Sequence, residues 1–110
     1  MIDLSYLIKT TNNDKEVIMQ LIDIFKSQLP ELKENIIDAY KNKNWTALKE
    51  ASHKAKNSFQ MMGLEKTASK LKQIEIECTD NNNPNIDSHI KSFLADFELI
   101  TLEVKNGIEI

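Results

Sequence analysis

The sequence predicts an all-α fold, an up-and-down four-helix bundle with a short N-terminal helical segment. Three observations carry this. Apolar residues recur at steps of three and four through four long segments, so each segment has one greasy stripe that must find apolar partners. The breaks between segments are short and polar, which makes consecutive helices antiparallel neighbours. With 2 Gly and 2 Pro in 110 residues, the chain lacks the turn chemistry that a β-sandwich or barrel needs every ten residues or so.

The elements follow in order. Asp3 to Lys9 suits one or two helical turns, with Leu4, Leu7 and Ile8 placed to pack on the bundle end. Asn13 and Glu16 have capping-box spacing and mark the start of a long helix. Its stripe is Ile18, Ile22, Phe25, Leu29, Leu32, Ile36 and Ala39. Pro30 lies inside it and predicts a kink, or two helices end to end, because proline removes one hydrogen bond and crowds the preceding turn. The run Lys41-Asn42-Lys43-Asn44 ends this segment, and Asn44 is the expected N-cap of the next. There Trp45, Leu48, Ser52, Ala55, Phe59 and Met62 form the stripe, and Gly63 supplies the stop. A third helix is expected from about Leu64 to Cys78, with Leu64, Ala68, Leu71, Ile74 and Cys78 inward. Thr79 to Asn85 is the clearest loop. The last helix carries Ile90, Phe93, Phe97, Ile100 and Val104, with Asp87 or Ser88 as cap and Gly107 near its end. Met61, Met62, Phe93 and Phe97 are read as packing residues and nothing more.

Length and composition fit a single soluble globular domain over residues 1–110. Met1 and a complete bundle favour a separate protein. A formal net charge of −3 and the lack of any Arg argue against a nucleic-acid binder, which must neutralise phosphates. No apolar run reaches membrane-spanning length, and the N-terminus lacks the pattern of a secretory signal. Cys78, the only cysteine, is expected to be a small buried hydrophobe. A reducing, cytoplasmic location fits these features.

The informative residue is His53. On a helical wheel it falls about 160° from Ala55, the centre of the stripe, so it should face solvent from mid-helix. Lys49, Glu50, Lys56 and Asn57 lie one turn away, and Thr46 and Gln60 two turns away. A solvated polar face is the plain reading of such a residue. Glu50-x-x-His53 also has di-iron spacing, but that site needs a second pair. His89 has Ile86 in the corresponding place and is expected to be a solvated residue in the first turn of its helix.

The local string changes the balance. His53, Ala55, Lys56, Ser58, Gly63 and Leu64 match the active segment of histidine-containing phosphotransfer (HPt) domains. Asp3 to Leu7 resembles that family's N-terminal segment, Phe25 to Leu32 its first bundle helix with the proline, and Asn44 to Leu48 the approach to its active helix. The chain departs at Asn57, where the family usually has Gly.

The resemblance implies a phosphoryl carrier in a two-component phosphorelay. His53 would accept the group from a receiver's aspartyl phosphate and pass it to another receiver. An imidazole, with an ordinary pKa near 6.5, offers a neutral fraction with a free lone pair at neutral pH. The distal ring nitrogen, farther from the backbone, is the expected nucleophile. Lys56 is expected to stabilise charge on the phosphoryl oxygens and Gln60 to orient the ring or the group. Lys49, Asn57 and apolar side chains around Leu21 are expected on the docking surface. The implied partners are response-regulator receiver domains and a hybrid sensor histidine kinase, with this chain a monomer. No cofactor of its own is expected, since the receiver would bring Mg²⁺ and an acyl phosphate is already activated. The rival reading is a non-catalytic helical module that binds a receiver or kinase.

Overall fold

The computed structural model describes residues 2–79 and 84–107. Five helices follow one another: α1 (Ser5–Thr10), α2 (Lys15–Lys41), α3 (Trp45–Met61), α4 (Glu65–Thr79) and α5 (Ile86–Lys105). No strand occurs among the described residues. The last four helices form the antiparallel bundle and α1 caps one end. Packing is most extensive between α3 and α4 and much sparser between α2 and α5.

The helix ends show why these residues stop and start where they do. Asn12 and Asn13 both adopt left-handed backbone, at φ 54° and 59°, and the Asn13 N–H donates to Ile8 O at 2.8 Å. An N-cap is typically extended instead, so the cap of α2 moves one residue on, to Asp14, which accepts from the Val17 N–H at 3.3 Å. This corrects the expected Asn13 cap. Glu16 then lies in the first turn, where a carboxylate suits the helix dipole.

At the far end of α2, Lys43 takes φ 51°. The Asn44 N–H reaches back to Ala39 O at 2.9 Å and the Lys43 N–H to Tyr40 O at 3.1 Å, a Schellman turn. Asn44 caps α3 as expected, accepting from the Ala47 N–H at 3.1 Å. The same turn closes α3: Gly63 has φ 73° and Leu64 N–H donates to Phe59 O at 2.9 Å. Here glycine has a second reason. The Asp3 N–H donates to Met62 O at 3.0 Å, laying the N-terminal segment across this turn. A Cβ on Gly63 would sit 2.2 Å from Asp3 O.

Pro30 does not divide α2, which is one helix of 27 residues; the end-to-end alternative is not adopted. Pro30 is exposed and lines a groove between α2 and α5 with Leu29, Ile37, Leu94 and Phe97. α5 begins at Ile86, ahead of both expected caps, and its N-cap Asn85 makes no side-chain capping bond. The Asp87 carboxylate instead accepts from the Tyr40 hydroxyl of α2. Of the expected Thr79–Asn85 loop, residues 80–83 lie outside the described residues.

The core is built from the expected stripes. Phe59 meets Phe25, Phe93 and Phe97 edge-on, with ring centroids 5.5, 6.1 and 6.3 Å away. One aromatic on α3 thereby touches α2 and α5 in the geometry aromatic quadrupoles prefer. In α1, Leu7 is buried and Leu4 packs partly, but Ile8 is 43% exposed, against expectation. A helix of six residues buries one narrow face; centred on Leu7, that face leaves Ile8 about 100° away.

Candidate functional site

His53 lies in the middle of α3, on the face opposite Ala55, which is fully buried. Its side chain is 55% exposed. The wheel position on α3 is therefore sufficient to bring the imidazole to solvent on a rigid element.

Its surroundings come from two helices. Glu75 of α4 places Oε1 2.9 Å from His53 Nδ1. The other carboxylate oxygen, Oε2, accepts from Lys56 Nζ at 3.3 Å. Lys56 Nζ is also 3.5 Å from His53 Nδ1. An ammonium only donates and an ionised carboxylate only accepts, so these two contacts ask opposite things of Nδ1. The shorter one decides: Nδ1 carries the proton and donates it to Glu75. Partial burial pushes the Glu75 carboxyl up, but hydrogen bonds from Lys56 and His53, with their charges, outweigh this and hold it below the usual glutamate value.

The other expected site residues are distributed as follows. Lys56 is held against α4 with 15% of its side chain exposed, its ammonium paired to Glu75. Asn57 and Gln60 line a shallow depression with Tyr6, Met61 and Glu65, toward the end of α3. The His53 ring donates to Glu75 and has Lys56 Nζ beside it; among the described residues, Gln60 is not one of its hydrogen-bond partners. Lys49 is half-buried, and its charge reaches Cys78 across the α3–α4 seam. Leu21 is half-buried against the core, with exposed Val17 and Ile24 one turn to either side on α2. The Phe25–Phe59 contact fixes the register of α2 on α3, and Leu21 then lies about 15 Å along the bundle axis from His53.

Burial pushes the Cys78 thiol up to about 11, with Glu77 adding to the effect, so it is protonated at neutral pH. It packs against the core as a small hydrophobe. His89, expected to be solvated, has Nδ1 2.9 Å from Glu77 Oε1, a contact between α5 and α4 that leaves 31% of its side chain exposed. This is a correction: the packing of α5 on α4 brings the first turn of α5 against Glu77. Among the described residues no three His, Cys, Asp or Glu side chains gather as metal ligands. No described helix is long and apolar enough to cross a membrane.

Glu75 is the functional neighbour that sequence reasoning missed. It is 22 residues from His53 and on another helix. The available signal was its place on the α4 wheel, about 40° from the buried Leu71, where a carboxylate borders the stripe rather than facing water.

The site is an exposed histidine at mid-helix, backed by a carboxylate and an ammonium, on an antiparallel helical bundle. The family model of the Hpt domain matches residues 20–106, and the chain belongs to that family. Hpt domains serve histidine phosphotransfer in two-component phosphorelays, where they interact with receiver domains and kinases. No curated protein and no solved structure matches the chain.

Proposed function

We propose that His53 is the phosphoacceptor and that this chain carries a phosphoryl group from the aspartyl phosphate of one receiver domain to the aspartate of another. The observation that carries this is the half-exposed imidazole on α3, with Nδ1 engaged by Glu75. The Nε2 lone pair attacks phosphorus as the P–O bond to the receiver's carboxylate breaks, and the leaving electron pair returns to that carboxylate. In-line geometry and charge neutralisation then carry most of the catalysis. The receiver brings Mg²⁺, and the bundle needs no cofactor of its own.

Lys56 is proposed to turn from Glu75 toward the phosphoryl oxygens as the group arrives, since its long stem lets the ammonium pivot. Asn57 and Gln60 form the rim on which the receiver settles, and exposed Val17 and Ile24 beside Leu21 give it an apolar patch on α2. Lys49 contributes charge rather than contact. The upstream partner is proposed to be a hybrid sensor kinase with its own receiver, and the chain is proposed to work in the cytoplasm as a monomer.

The test is incubation with a phosphorylated receiver. Wild type gains acid-labile phosphate, whereas His53→Gln gains none and keeps its helical circular dichroism. Equal labelling of the variant overturns the assignment. Asn57 in the place of the family's usual Gly favours one other reading, a bundle that binds a receiver without accepting phosphate; stable receiver binding with no label on wild type selects it.

A further inference from the structure

We infer that the open seam between α2 and α5 is a binding site for a free long-chain carboxylate, whose apolar tail lies along the seam and whose anionic head meets Lys26 and Lys105. The inference is independent of the phosphoacceptor reading. It concerns the side of the bundle away from the α3–α4 seam that holds His53 and Glu75.

Four helices in a ring make four seams. Three of them close, whereas α2 and α5 touch sparingly and leave a groove of about 850 Å³. Small-molecule sites run from roughly 300 to 1,000 Å³. The floor of this groove is the core itself, the buried side chains of Leu29, Phe97 and Val104. Its walls are apolar too: Pro30 is exposed, and Leu102 is 51% exposed. Water in such a groove is held against hydrocarbon, so an apolar chain that displaces it gains free energy.

Charge gives the groove a direction. Lys33 Nζ stands over the Phe97 ring, 5.7 Å from its centroid, and fixes the register of these two antiparallel helices. From that level Lys26 on α2 and Lys105 on α5 each lie about two turns toward the same end. Ile37 and Leu94 lie about one turn toward the other. Midway, Glu98 offsets the charge of Lys33. The positive charge left over therefore collects at one end, in a chain whose formal net charge is −3. Among the described residues neither Lys26 nor Lys105 is in an ion pair, whereas Lys56 and Lys70 both are.

A ligand with one anionic head and one apolar tail matches this polarity. A partner helix would need its complementary charge along both lips of the groove, and an anionic bilayer would meet Glu98 at the rim. From Lys26 to Ile37 the groove runs about 16 Å, the reach of an extended chain of about a dozen carbons.

The probe is dodecanoate below its micelle concentration, added to the whole chain. Saturable binding is expected, with a raised unfolding temperature, because a ligand that binds only the folded state stabilises it. Amide chemical-shift changes are expected to cluster on the α2 and α5 residues that line the groove. Dodecyltrimethylammonium, with the same tail and the opposite charge, should leave those signals unmoved. Lys26→Glu combined with Lys105→Glu should weaken dodecanoate binding at least about tenfold while keeping the helical circular dichroism, since both side chains are exposed. Equal binding of the cationic probe, unchanged affinity in the double variant, or shifts scattered over the whole surface would overturn the inference. So would cosedimentation with phosphatidylglycerol vesicles without saturable binding of dodecanoate, or self-association that shifts the groove signals in the absence of any probe.

Discussion

Lys56 illustrates how a residue can be legible in kind and not in detail. Its spacing of one turn from His53 could be read from the sequence, as could the exposure of the imidazole. What could not be read is that a carboxylate on α4 already holds the ammonium. Sequence spacing reports neighbours on the same helix, and Glu75 reaches the site only through the α3–α4 register. Lys56→Ala should slow single-turnover transfer about tenfold and change stability by no more than about 1 kcal/mol, the range of a pair near the surface. Unchanged kinetics in the variant would remove Lys56 from the site. Glu75 also makes a pH-dependent contribution to folding. Its carboxyl lies below the ordinary 4.5 in the folded chain, so its stabilisation is complete above the unfolded value and is lost as pH falls through the folded one. Urea midpoints of wild type and Glu75→Gln should therefore differ at pH about 6 and draw together as pH falls through the lowered folded value; a constant gap contradicts the linkage.

At the scale of elements, stripes and stops were easier to read than starts. Periodicity located α2 to α5 because a buried face must repeat with the helix. Gly63 was recognisable as the end of α3 because a left-handed residue closes that turn. The starts of α2 and α5 shifted because backbone turns and tertiary bonds compete for the capping side chains: Asn13 was consumed by a left-handed turn and Asp87 by the Tyr40 hydroxyl. Gly63 also has a role no local pattern encodes, the close approach of Asp3. Gly63→Ala should cost about 2 kcal/mol or more, from strain at positive φ plus the collision. Gly107 has φ 97° and no atom within 4 Å of the place a Cβ would take, so Gly107→Ala should cost distinctly less. Equal losses in thermal or urea unfolding would show that the Asp3 contact has no weight.

The whole molecule is an elongated bundle, 44 × 24 × 18 Å, whose core is separate from its chemistry. The buried stripes meet around Phe59, while His53 stands on the opposite side of the same helix. Phe59→Ala should destabilise by about 3–5 kcal/mol through the lost contacts and the cavity left behind. Transfer by the fraction that remains folded should be unchanged, and a selective loss of transfer would show that core and site are coupled. The architecture was legible because helices of this length and pattern have few ways to bury their faces. Contacts such as His89 with Glu77, and His53 with Glu75, were not, because they depend on how far one helix slides along its neighbour.

The most direct measurement maps the phosphate itself. The chain is incubated with a receiver carrying radiolabelled aspartyl phosphate, digested under alkaline conditions that preserve phosphohistidine, and its labelled peptide sequenced. The account predicts a single labelled site at His53. Label on His89 or elsewhere, or none after complete discharge of the receiver, would contradict it.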